Sequence, residues 1–392
     1  MINNTNKLGI NLALLSAPII AIFFSSIANG LLTTIISLKL AVLGHSEWSI
    51  GLVCSGYYIG IVFGSIKCAK LVNRIGHIRA FATFACFCAI APLLNGIFVN
   101  PYIWFFLRII SGTAIAGTWI AAESWILSKS SAATRGKYMS LYMVSVYLAI
   151  ALGQLLLKIS YEDFIYDFAV ISVFFSISAI PITTTSSAAP IIEKPKIIPL
   201  GNFLKIHPSG IYGCFYAGIV LGAIYSIFPY YLFVQNFTHE EIGIIMFATI
   251  IGGTFLQIPV GYFSDIFDRR KVLFVLALLA TIISSIIVVM PKDIWNFVVL
   301  GFLLGGIIFS IYPVSMSHVS DSLSKDKIVS IIQGLVVVYG VGSVIGPIIT
   351  PGFIMLFGPS GLFIFFVAIG ILFLSFLTIR IIKRTKRLES IA

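Results

Sequence analysis

Arg108, Trp119 and Glu123 are the residues of this sequence best suited to chemistry, because Arg108 and Glu123 are the two charges in a mostly apolar run, 102–127, and Trp119 lies between them. On a helix, eleven steps return to within about 20° of the start and fifteen to within about 60°, so the three share one stripe. Arg108 falls about 9 Å along the axis from the start of the run and Glu123 about 22 Å farther on. A guanidinium at that depth faces a cavity or a partner, or else it snorkels to the nearby interface. Glu123 is either a proton-titrating carboxylate or substrate contact, or a structural partner for Arg74, Arg79 or Arg135. Asn29, Gln154, Gln257 and Gln333 are further polar candidates in apolar runs, with His318 near the end of another. Tyr57, Tyr142, Tyr216, Tyr225 and Tyr312 are candidate pocket linings; with 16 Tyr and 33 Phe in the chain, most aromatics must face lipid or core.

The elements that must position these groups cross a membrane. Of the 392 residues, 59% are hydrophobic and only 10% charged, against about 25% charged in a soluble domain. That excludes a soluble enzyme, a DNA-binding protein and a secreted disulfide scaffold. The five cysteines are scattered through apolar runs and read as small buried hydrophobes. Stretches of about 20 apolar residues mark spanning helices. They occur at 10–37, 49–69, 79–99, 102–127, 137–158, 164–183, 209–234, 240–262, 271–290, 294–318, 328–350 and 360–382. No small-residue cleavage site follows the first, so it is expected to be retained as a helix. With both termini in the cytoplasm, every Lys and Arg except Lys39, Arg108, Lys158 and Lys292 falls on the inner side. The net charge of +11 is therefore read as topology, with no nucleic-acid role.

Residues 184–208, with Pro190, Pro195, Pro199 and Pro208, read as a cytoplasmic linker between an N-terminal six-helix bundle, 1–183, and a C-terminal one, 209–392. The halves look like copies. An offset of 192 aligns Gly30 with Gly222, Gly51 with Gly243 and Gly60 with Gly252; an offset of 193 aligns Gly112 with Gly305 and Gly153 with Gly346. The loop Asn73-Arg74-Ile75-Gly76-His77-Ile78-Arg79 falls on Asp265-Ile266-Phe267-Asp268-Arg269-Arg270-Lys271. Repeated six-helix halves are a common plan for secondary transporters. Gly56, Gly60 and Gly64 recur every four residues, as do Gly342 and Gly346, and so present a smooth face for close helix approach. That face is either a seam on which one half moves or ordinary packing within a half.

These residues resemble the major facilitator superfamily. Its loop signature, Gly-x-x-x-Asp-Arg-x-Gly-Arg-Arg/Lys, is met in part by Gly261, Asp265, Asp268, Arg269, Arg270 and Lys271; in the first half Ala69, Asn73 and His77 depart from it. Arg108-x-x-Ser111-Gly112-x-x-x-Ala116 looks like the family's fourth-helix arginine motif. Gly76-His-Ile-Arg-Ala-Phe81, Ala122-Glu-Ser-Trp125, Ser140-Leu-Tyr-Met143, Leu152-Gly-Gln-Leu155 and Pro259-Val-Gly-Tyr-Phe-Ser-Asp265 are similar to the bacterial YcaD-like branch. The resemblance covers the whole chain. It implies an all-α polytopic membrane protein of the major facilitator fold, twelve transmembrane helices in two pseudo-symmetric bundles, in the bacterial inner membrane. It also implies a gating role for the loops carrying Asn73, Arg74, Asp265, Asp268, Arg269 and Arg270; the alternative is a solvated charge cluster. Drug antiporters of the family often carry Gly-x-x-x-Gly-Pro on the fifth helix, whereas here Gly342-x-x-x-Gly346-Pro347 lies in the eleventh.

The expected activity is secondary active transport of a small solute by alternating access, coupled to an ion gradient with the proton first in line. An uncoupled facilitator and a non-transporting receptor or sensor are the alternatives. The chain has no Gly-x-x-x-x-Gly-Lys-Ser/Thr for nucleotide phosphates. It shows no paired catalytic groups at membrane depth, so it is not expected to be an enzyme. No cofactor or metal is expected, the partners are the solute and the lipid bilayer, and the working unit is expected to be a monomer.

Overall fold

The computed structural model describes residues 2–130, 134–159, 163–185, 208–321 and 325–389. Most of the linker 184–208 and the side chain of Gln333 lie outside what is described. The chain is helical throughout the described residues. The helices are α1 (Ile2–Val42), α2 (Glu47–Ile75), α3 (His77–Ile97), α4 (Pro101–Lys129), α5 (Arg135–Leu155), α6 (Phe164–Thr183), α7 (Pro208–Ser226), α8 (Phe228–Val234), α9 (His239–Ile266), α10 (Arg269–Val289), α11 (Ile294–Ser320), α12 (Lys325–Phe357) and α13 (Gly361–Glu389). Twelve of them are long and apolar enough to cross a membrane. The seventh stretch is broken at Ile227 into α7 and α8, where Pro229 in the first turn of α8 lacks an N–H to donate. Phe106, Ile258, Leu372 and Val289 are exposed, as a lipid-facing surface requires.

Two compact units emerge: one of Met1–Lys39 and Gly56–Lys194, the other of Leu40–Ser55 and Pro195–Ala392. The turn joining α1 to α2 thus belongs to the second unit. There the Tyr230 hydroxyl donates to Glu47 Oε1 at 2.6 Å, and Gly51 rests against the Pro347 carbonyl.

The glycines explain the helix pairing. Gly56, Gly60 and Gly64 on α2 lie against Phe105, Ile109 and Thr113 of α4. Gly342 and Gly346 on α12 lie against Phe215 and Ile219 of α7. Both rows therefore close contacts inside their own unit. A side chain at any of these positions would strike backbone, so the pairs can approach this closely only with glycine.

The same seats recur at the repeat offset. Gly30 meets Ile150, and Gly222 meets Ser343. Gly60 meets the Ile109 carbonyl, and Gly252 that of Phe302; Gly112 meets the Tyr57 carbonyl, and Gly305 that of Thr249. In each pair both members are displaced by 192 or 193 residues. Helices α3 and α6 pair in the first unit as α10 and α13 do in the second.

Candidate functional site

The first unit gathers polar groups from α1, α2 and α4. Arg108 is fully buried, 0% exposed, which removes the snorkelling alternative. Its guanidinium carbon lies 4.4 Å above the Tyr57 ring, a cation–π geometry. Its Nη2 donates to Thr33 Oγ1 at 3.4 Å. Asn29 Nδ2 donates to the Tyr57 hydroxyl at 3.0 Å, and Thr33 Oγ1 donates to the Asn29 carbonyl at 2.9 Å. Asn29 and Thr33 are one turn apart on α1, so both lie on the same face of it. Asn29, Thr33, Tyr57 and Arg108 are therefore one connected cluster.

Farther along α4, the half-buried Glu123 accepts a hydrogen bond from the Tyr142 hydroxyl of α5 at 3.1 Å. Among the described residues it makes no ion pair with Arg74, Arg79 or Arg135. Trp119 is half-buried between the two groups in sequence. A carboxylate held by a phenol inside a bilayer-spanning helix can take up a proton without losing its only partner, because the phenol oxygen can then accept in turn.

Other sequence candidates serve elsewhere. Gln154 is a strut between α1 and α5: its Oε1 accepts from Thr34 at 2.7 Å and its Nε2 donates to the Gly30 carbonyl at 2.9 Å. Gln257 Nε2 reaches the Phe309 carbonyl at 3.5 Å. The Tyr225 ring packs edge-on to Phe309, and Tyr312 packs on Tyr339.

The two loops after α2 and α9 differ. In the second, Arg269 donates to both carboxylate oxygens of Asp321 (Nε at 2.5 Å, Nη2 at 3.3 Å) and to Ser264 Oγ at 2.6 Å, and Nη2 lies 3.0 Å from Asp265. Asp268 caps α10 through the Arg270 N–H, and Arg270 reaches His318 at 3.3 Å. In the first, Asn73 and Arg74 are exposed, Gly76 turns with φ 85°, and His77 is buried edge-on to Trp125. Asp321 was not anticipated from sequence; its place just past the C-terminal end of the tenth stretch, three residues after His318, was the available signal.

The basic residues that depart from the inner-side pattern find partners within the fold. Lys39 forms a buried ion pair with Asp167 at 2.6 Å and lies over the Phe164 ring. Lys292 donates to the Ile287 carbonyl at 3.1 Å, at the C-terminal end of α10. Burial there lowers the Lys292 pKa from its usual value.

Twelve spanning helices in repeated halves, with a buried arginine and a phenol-held carboxylate in one of them, define a multi-pass membrane transporter. The chain belongs to the Major Facilitator Superfamily, whose profile matches residues 19–240 and 213–390. It is similar to the uncharacterized MFS-type transporter YcaD of Escherichia fergusonii, 27% identical over 89% of this chain and 91% of that one. The YcaD of Salmonella arizonae is equally similar, 27% over the same shares. In fold it matches the crystal structure of the nucleoside transporter NupG, with TM-score 0.76, 15% identity, and 93% of this chain and 98% of that one covered. A bacterial homologue of the human lysosomal transporter Spinster matches with TM-score 0.75, 15% identity, and 94% and 95% covered.

Proposed function

We propose that this protein is a proton-coupled secondary carrier of a small solute, with both termini in the cytoplasm of a bacterial inner membrane. In this reading, Asn29, Thr33, Tyr57 and Arg108 engage the solute, and Glu123 with Tyr142 handles the proton.

The observation that carries the reading is what the second half puts at the same places. At the repeat offsets, Arg108 becomes Gly301, Tyr57 becomes Thr249, Asn29 becomes Leu221, Glu123 becomes Met316 and Tyr142 becomes Leu335. A Cβ on Gly301 would press on Thr249 Oγ1 at 2.7 Å. Leu335 sits in an apolar cluster with Ile211, Cys214, Val319 and Ile331, and Met316 packs on it. The same helix pairing thus closes without a charge at any of these places. The fold does not require the polar set, and burying it is unfavourable. Function is the reason left for keeping it.

The test is solute-dependent proton movement. Purified protein in liposomes loaded with a pH-sensitive dye is challenged with solutes selected by thermal shift. The expected result is a dye response that requires both the solute and the protein. Solute exchange without a dye response would make this an uncoupled facilitator; binding without exchange would make it a receptor.

A further inference from the structure

One face of α1 carries more polar groups than its neighbours satisfy. Ser25, Ser26 and Asn29 are 1%, 2% and 7% exposed, yet Ser25 Oγ, Ser26 Oγ and Asn29 Oδ1 have no hydrogen-bond partner among the described residues. Buried serines in helices ordinarily turn their hydroxyl back onto a carbonyl three or four residues earlier. Ser55, Ser111, Ser172 and Ser310 do so here. Ser25 and Ser26 do not. With 100° per residue, Ser25, Ser26, Asn29 and Thr33 fall within an arc of about 100° and span about 12 Å of helix. Thr33 and Asn29 already join Arg108 and Tyr57, so the open oxygens continue the cluster described above.

We propose that Ser25, Ser26 and Asn29, with Thr33, Tyr57 and Arg108, form the seat of a small carboxylate bearing hydroxyl or amino groups. This inference rests on the reading of the chain as a solute carrier. The guanidinium supplies a planar fork matched to a carboxylate. The α1 oxygens accept from, and the serine hydroxyls donate to, the solute's own polar groups. A span of about 12 Å suits a solute of about three to six carbons. The second half lacks this face: Ala217, Gly218 and Leu221 stand at the offset positions, and Gly218 is pressed against the Tyr339 carbonyl.

The probes are D-glycerate, D-gluconate and L-serine, each beside the counterpart with an alcohol in place of the carboxylate (glycerol, glucitol and 2-amino-1,3-propanediol), with glycerol 3-phosphate as the doubly charged control. Thermal shift of the purified full-length protein should rise saturably with at least one acid and not with its counterpart. Ser25→Ala and Asn29→Leu should each weaken that response about tenfold. The melting temperature of Ser25→Ala without solute should stay level or rise, because an unsatisfied buried group has gone; Asn29→Leu also removes the hydrogen bond to Tyr57 and is read by affinity alone. Ser284→Ala, which removes an equally buried and unpartnered hydroxyl from α10, should leave solute affinity unchanged.

The proposal fails if no acid stabilises the protein, if the alcohols act equally, or if the phosphate alone acts. It also fails if Ser25→Ala lowers the unliganded melting temperature with affinity intact, or if Asn29→Leu leaves affinity intact. Acids that bind but drive no proton movement leave this seat standing and remove proton coupling. Proton movement driven only by solutes lacking a carboxylate removes the seat and leaves the carrier.

Discussion

The two halves share a backbone plan and differ in what they bury. In the first, α4 offers Arg108 where α11 offers Gly301, and α2 offers Tyr57 where α9 offers Thr249. The glycine seats beside them, Gly112 on Tyr57 and Gly305 on Thr249, hold the same backbone contact in both. The difference separates two kinds of residue that a single half would confuse. Groups present in both halves build the bundle; groups present in one are carried at some loss of stability. At the loops after α2 and α9 the asymmetry reverses, with the ion network in the second half and the buried His77–Trp125 contact in the first.

The largest expected effect concerns Lys39 and Asp167. Their counterpart on the α1 side is Tyr231, which packs on Phe363 at 5.1 Å between ring centroids. An aromatic contact therefore fills in the second half what an ion pair fills in the first. Asp167→Leu alone leaves a buried ammonium and should destabilise by about 3–5 kcal/mol. Lys39→Met with Asp167→Leu should recover most of that loss. Chemical or thermal unfolding of the single and double variants checks it. If the double variant is as unstable as the single, the halves are not interchangeable at this place.

How much of this was legible in the sequence follows from the range of each interaction. Helix positions, the repeat offset and the glycine rows are local or periodic, and the structure shows the twelve stretches and the repeated seats. The partners of buried polar groups depend on which helix faces meet. Periodicity within one helix does not report that. So Gln154 read as a site candidate, although its amide is consumed between α1 and α5. Tyr142 was one aromatic among many until its hydroxyl was seen on Glu123. The Lys39–Asp167 pair joins the end of α1 to the start of α6, and Lys39 in sequence was only an exception to the charge pattern.

Next in size is Glu123→Gln, which sharpens the comparison at Met316. The amide keeps the shape and a hydrogen bond to Tyr142 but no longer titrates. Uphill solute accumulation should fall about tenfold or more, a change worth about 1.4 kcal/mol or above, while exchange of solute across the liposome persists. The two assays on one preparation decide the matter. If both fall together with thermal stability, Glu123 is a tether between α4 and α5, and the first half differs from the second in packing alone.

The smallest effect is expected at Asp265, which stands where the first half has Asn73. Its carboxylate lies 3.0 Å from Arg269 Nη2, yet its side chain is 71% exposed, while Asp321 holds the same guanidinium through two oxygens. A pair with an exposed carboxylate, four residues apart across the turn from α9 to α10, is screened by water and contributes about 0–1 kcal/mol. Removal of its charge leaves Arg269 still held by Asp321 and Ser264. Asp265→Asn, which copies the first half, should therefore change transport and melting temperature only slightly, by less than about fivefold in rate. Asp321→Asn should do more, because the bidentate partner is lost and the α10 start is freed from the α11 end. Transport rates and cysteine accessibility in the two variants order them. An Asp265→Asn effect larger than that of Asp321→Asn would mean that Asp265 acts through a contact beyond Arg269, and the loop would then gate the carrier, not merely brace its own half.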